Sequence, residues 1–97
     1  MASIDKIIEY EQMIKRLTNI AIEELHASHG NRDAVRAACC RYFKRGYEAK
    51  FTTGELVDFF GVCGTVCEDA GFTEAESVEV MKVIGELTDE EIASTQV

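Results

Sequence analysis

Four thiols are the first groups in this sequence that could do chemistry: the adjacent Cys39 and Cys40, and Cys63 and Cys67 one helical turn apart. Disulfide bonding, zinc ligation and redox exchange all use such residues. Each meets an obstacle in the spacing. On a helix the adjacent pair diverges by about 100°. Neighbours at i,i+4 stand ~5 to 6 Å apart, where an unstrained disulfide needs Cβ atoms ~3.8 Å apart. Structural zinc usually takes Cys-x2-4-Cys knuckles from turns, which two helical pairs match poorly. A reactive thiolate wants an exposed, electropositive setting, whereas Cys63 and Cys67 fall within one apolar arc with Leu56, Phe59, Phe60, Val66 and Ala70. The thiols are therefore read as small hydrophobic core residues. A thiol or zinc protein using Cys39, Cys40, Cys63 and Cys67 is an alternative.

Glu23 and His26 stand in the Glu-x-x-His relation of carboxylate-bridged di-iron helices. Those bundles need a second such motif and two further glutamates on facing helices, and this chain has no second motif. His26 and His29 read more simply as polar residues at a helix C-terminus, where they suit the dipole. The run Arg41 to Tyr47 interleaves basic and aromatic side chains, as single-strand binders do. Helical geometry turns Tyr42 and Phe43 inward and Arg41, Lys44 and Arg45 outward, which an amphipathic helix explains without a ligand. No nucleophile, base and orienting group come together, so the reading is a protein that is not an enzyme, with no cofactor and no metal.

Charge is unevenly partitioned. Residues 1 to 30 carry −2, residues 31 to 51 carry +4 and residues 52 to 97 carry −10, giving −8 overall. Glu68, Asp69, Glu74, Glu76, Glu79, Glu86, Asp89, Glu90 and Glu91 are read in two ways. They are caps and a solvated face beside a basic second helix, or they form an anionic surface for a basic protein partner, such as one whose DNA site is blocked or mimicked. Direct nucleic-acid binding is disfavoured by phosphate repulsion. A groove is a further candidate: Val57, Gly61 and Gly64 share a second face of their helix, away from the thiols. Interior glycine costs ~1 kcal/mol relative to alanine, which close approach of another helix would offset.

The elements that position these groups are helices. Thr52 with Glu55, Thr73 with Glu76, and Thr88 with Glu91 repeat the Thr-x-x-Glu capping box. They predict a third helix over 54–70, a fourth over 74–86 with Val80, Val83, Ile84 and Leu87 inward, and a short fifth over 89–94. The first helix runs from an N-cap at Ser3 to about Ser28, with Ile7, Tyr10, Ile14, Leu17, Ala21 and Leu25 in one stripe. Met13, Ile20, Ile4 and Ile22 widen that stripe beyond the ~100° needed against one neighbour. This helix is therefore central to the bundle or pairs with a copy of itself. Asn31 caps a second helix that Gly46 ends; residues 47–51 are either a connector or an extra turn.

Ninety-seven residues without proline, 46% of them hydrophobic and 29% charged, suit one compact domain. No apolar run approaches the ~18 residues of a membrane span, and no signal-peptide core is visible; a cytoplasmic location follows as the expectation. The fold class read from the sequence is all-α, a compact bundle of four main helices plus a short C-terminal one. The function read is that of a small acidic regulator or inhibitor binding stoichiometrically to a basic, nucleic-acid-handling protein, of a kind that phages and plasmids encode. The alternative is a self-associating helical module, a homodimer through helix one.

Overall fold

The longest element, α1 (Ala2–Ser28), has 27 residues, about 40 Å at 1.5 Å per residue. That approaches the molecule's longest dimension of 46 Å; the other two are 28 and 20 Å. The computed structural model describes residues 2–61 and 65–97, and the side chains of residues 4–60 and 65–97. After α1 come α2 (Arg32–Glu48), α3 (Thr53–Gly61), α4 (Thr65–Asp69), α5 (Glu74–Glu86) and α6 (Asp89–Ser94), with no strand among the described residues. The chain is all-α and bundle-like, as its periodicity and caps imply. The helix expected over 54–70 is described as α3 and α4; Cys63 and Gly64 lie outside the described residues.

Two of the three capping boxes are complete. Glu55 N donates to Thr52 Oγ1 at 3.2 Å while Thr52 N donates back to Glu55 Oε1 at 2.9 Å. Thr73 and Glu76 repeat the same two distances. The third box is half-formed: Glu91 N donates to Thr88 Oγ1 at 3.1 Å, but the Glu91 carboxylate is held by Arg36 from α2. A charged guanidinium outcompetes a backbone amide for the same oxygens. Asn31 caps α2, its Oδ1 accepting from Ala34 N at 3.1 Å. Ser3 does not cap α1; the helix is already under way at Ala2.

Gly46 does not end α2 either. The helix runs through it to Glu48, and Gly46 is buried because Leu56 of α3 sits on it. A Cβ at that position would lie 2.2 Å from Leu56 Cδ2. The stop comes at Lys50, a non-glycine residue with φ 72°. Lys50 N donates to Tyr47 O and Phe51 N to Gly46 O, both at 3.0 Å, the paired bonds of a Schellman ending. Residues 47–51 are thus a last helical turn and its cap. The same pair of bonds recurs at Gly71 (φ 88°), from Gly71 N to Glu68 O and from Phe72 N to Cys67 O.

The core gathers around α2, which packs against α1, α3, α5 and α6. Its expected inner residues Val35, Ala38, Cys39, Tyr42 and Phe43 are all buried. Cys40, not expected there, is buried too, since α6 covers that second side of α2. Tyr42 donates its hydroxyl to Leu56 O and sets its ring against Phe43 and Phe60, with centroids 5.3 and 4.9 Å away. Leu17, Ala21 and Leu25 of α1, Val66 and Cys67 of α4, Val80 and Val83 of α5, and Ile92 of α6 join this interior.

Candidate functional site

The acidic candidates divide into two groups. Four are drawn onto the basic face that α2 and the turn before it present. Glu76 takes His29 Nε2 at 2.5 Å, Glu79 lies 3.9 Å from Arg32, and Glu86 lies 3.5 Å from Arg32 and 3.2 Å from Arg36. Glu91 holds Arg36 with both oxygens, at 2.6 Å to Nε and 2.8 Å to Nη2. The Arg36 guanidinium keeps the Glu91 carboxyl below the usual carboxylate range, and Arg36 is raised in return. The Thr73 backbone amide, followed by His29, does the same for Glu76. On the opposite side Glu24 of α1 accepts from Arg41 Nε and Arg45 Nη1, both at 2.5 Å. Lys44 Nζ reaches the carbonyls of Ala93 and Thr95 at the end of α6, a favourable place for a cation. The basic residues of the Arg41–Tyr47 run are therefore occupied within the fold, with Tyr42 and Phe43 turned inward.

Glu68, Asp69, Glu74, Asp89 and Glu90 form the second group. They are exposed and make no ion pair among the described residues. In the groove candidate, Val57 is half-buried against the core, Gly61 is the last residue of α3, and Gly64 lies outside the described residues.

Cys39, Cys40 and Cys67 are free and buried. Burial raises all three thiols, Cys39 to about 12, a setting that suppresses the thiolate. Cys63 is outside the described residues. Among the described residues no group of three or more His, Cys, Asp or Glu side chains converges as a metal site. His26 donates from Nδ1 to Ala70 O, 3.2 Å away, and His29 stacks on Phe72 with ring centroids 4.6 Å apart. These histidines tie the end of α1 to the α4–α5 corner. A shallow cleft of about 280 Å³ opens beside His29, over Val35, Val80 and Val83. It is below the ~300 to 1,000 Å³ of typical ligand pockets, and its rim residues Glu76 and Glu79 are engaged with His29 and Arg32.

The surface least accounted for by the fold is the front of α1. Ten consecutive residues, Ile4 to Met13, are exposed. Ile4 and Ile7 are each 58% exposed and Ile8 49%, while Leu25 further along the same helix is 1% exposed. Tyr10 provides the front's main attachment to the body. Its ring packs edge-on against Phe51 and Phe59 at 5.4 and 6.4 Å, and its hydroxyl donates to Glu55 Oε2 at 2.6 Å. That hydroxyl and the Thr52 backbone hold the Glu55 carboxyl below its ordinary value. The sequence pattern placed Ile4 and Ile7 in a wide apolar stripe and left Ile8 out of it; periodicity carries no sign of whether another element reaches them.

The chain matches no family model, no curated protein and no solved structure. Its function must be argued from this surface. No helix among the described residues is long and apolar enough to cross a membrane.

Proposed function

We propose that the protein is an interaction module that acts by stoichiometric binding to another polypeptide, with the front of α1 as its docking helix. One observation carries this reading: the run Ile4 to Met13 is exposed, with isoleucines at helical spacing on one side. Contiguous apolar patches are uncommon on monomers and mark places where another surface belongs. Val78 and Val97 are exposed as well, but scattered single residues are ordinary. A helix lying on a membrane surface is the competing use of such a face. Interfacial helices are rich in Lys and Arg, whereas residues 1 to 20 carry three acids and three bases in a chain of net −8. Anionic lipid would repel the chain.

The regulator of a basic protein is a second reading, supported by Glu68, Asp69, Glu74, Asp89 and Glu90, whose charge is not neutralised within the described fold. Such charges steer encounter more than they add affinity. In this reading they guide a basic partner towards the apolar contact.

The test is capture of cross-linked polypeptide in cells that make the protein, using a photo-reactive residue in place of Gln12 beside the apolar face. Cross-linked polypeptide is expected from the otherwise wild-type chain. At least a tenfold loss is expected in Ile4→Glu/Ile8→Glu. Equal yields from both would remove the docking helix. Capture that falls at high salt supports the steering role of the acids.

A further inference from the structure

We infer that the occupant of the α1 front is a second copy of this chain, its α1 running antiparallel to the first. The inference rests on the docking helix proposed above and names its partner. Charge complementarity carries it. Residues 1 to 11 hold Asp5, Glu9 and Glu11 against Lys6, net −2, and residues 12 to 20 hold Lys15 and Arg16, net +2. Antiparallel pairing sets each −2 half on a +2 half, and it also opposes the two helix dipoles. Parallel pairing would set like charge on like charge and bring two bodies of high negative charge side by side.

Residues 1 to 20 carry three acids and three bases, net zero in a −8 chain, so a second copy can approach along them with little net repulsion. The geometry agrees. Leu17, Ala21 and Leu25 enter the core, so the body begins about one turn beyond Met13. An antiparallel partner therefore keeps the two bodies at opposite ends of the shared seam. Tyr10 already packs on Phe59 of α3 and on Phe51 just before it, which leaves Ile4 and Ile8, one turn apart, to face the partner. Next to them Glu11, Ile14, Lys15 and Thr18 line a shallow groove along the same helix. An isolated helical end of this length is marginal in water; an identical helix beside it supplies both apolar cover and matched charge.

One helix face per copy is at or below the ~1,200 Å² of total buried area where standard interfaces begin. The dimer is accordingly weak, with a dissociation constant on the order of 10 to 100 μM.

Sedimentation equilibrium of the full chain across concentration tests the dimer. The wild type is expected to pass from monomer to dimer. Ile4→Glu/Ile8→Glu should weaken association at least 100-fold while leaving thermal unfolding of the dilute protein unchanged. Orientation is tested by charge. Glu9→Lys/Glu11→Lys turns the −2 half to +2 and should weaken association about tenfold. Adding Lys15→Glu/Arg16→Glu should restore it, because the halves are again opposite. In a parallel pair neither change would alter the like-on-like pattern, so an unchanged affinity in all three proteins overturns the antiparallel seam. A photo-reactive residue at Gln12 should cross-link to residues 4 to 11 of the second copy.

Wild-type protein that stays monomeric at every concentration overturns the inference. A monomer whose Gln12 probe labels only a different polypeptide overturns the second copy and leaves the docking helix standing. A monomer whose probe labels no polypeptide, or that binds vesicles of neutral or anionic lipid through Ile4 and Ile8, removes both.

Discussion

The front of α1 and the whole of α2 have comparable apolar patterns and opposite fates. α2 is enclosed by four helices: its rings go inward to Leu56 and Phe60, its second thiol goes under α6, and its arginines and lysine are gripped by Glu24, Glu86, Glu91 and two carbonyls of α6. The first three turns of α1 carry three isoleucines and one tyrosine that could have been core, and among the described residues only Tyr10 finds ring partners. The difference is topological. α2 is packed by elements that precede and follow it, α1, α3, α5 and α6, whereas the described elements leave the front of α1 exposed.

The largest effect separating the two regions is truncation of a ring against truncation of an isoleucine. Phe43 is 2% exposed, and Phe43→Ala should cost about 3 to 5 kcal/mol through lost burial and the cavity left behind. Ile7→Ala should stay within about 0.5 kcal/mol, as surface substitutions do. Urea unfolding of dilute protein, below the association range, compares them. Similar losses for both would mean that the front packs on the body in solution, and the contrast would fail.

Backbone approach sharpens the same contrast at smaller magnitude. Gly46→Ala adds a methyl that meets Leu56 at 2.2 Å, and Leu56 has no exposed surface through which to move away. Overpacking of this kind costs about 1 to 3 kcal/mol, against ~1 kcal/mol gained from the better helix former. The substitution should therefore destabilise by roughly 1 kcal/mol or slightly more. Gln12→Ala in the α1 front, also a change to a better helix former, should be neutral or slightly stabilising. A stabilising Gly46→Ala would show that α3 is not seated on α2 as described.

What could be read from the sequence follows from the range of the interaction involved. Helix starts were legible because Thr52, Thr73 and Asn31 act on amides three residues away. The third box failed in part because Arg36, 55 residues from Glu91, takes its carboxylate. The ends expected at about Ser28 and residue 70 lie within a residue of those observed, each followed closely by a glycine of positive φ, Gly30 or Gly71. Gly46 misled because its small size serves packing, and the actual stop uses Lys50, which nothing local distinguishes. The charge partition was visible by counting, but which acids stay unpaired depends on the crossing of α2 with α5 and α6. Likewise the α1 stripe announced what could be buried, and only the tertiary arrangement separates Leu25 from Ile7.

The smallest of the three effects concerns the charged side of α2, and its sign follows from the partners. Arg36 holds Glu91 below its ordinary value of 4.5, so the folded-state pKa is depressed relative to the unfolded chain. The stability from this pair is fully present above the unfolded value and is lost as pH falls through the folded one. Arg36→Gln removes the partner beforehand. The wild type should thus unfold at higher urea than the variant near pH 7, and the gap should close as pH is lowered through the range below about 4.5. Glu76, held first by the Thr73 amide, is untouched by the substitution and supplies acid sensitivity common to both proteins. High salt at neutral pH should narrow the gap as well, since the pair is partly exposed. A gap of constant size down to pH 3 would mean that Arg36 stabilises through its stem packing rather than through Glu91. The enclosure of α2 would then owe nothing to charge, and the acids that pair with it would be as available to a partner as Glu68 and Glu74.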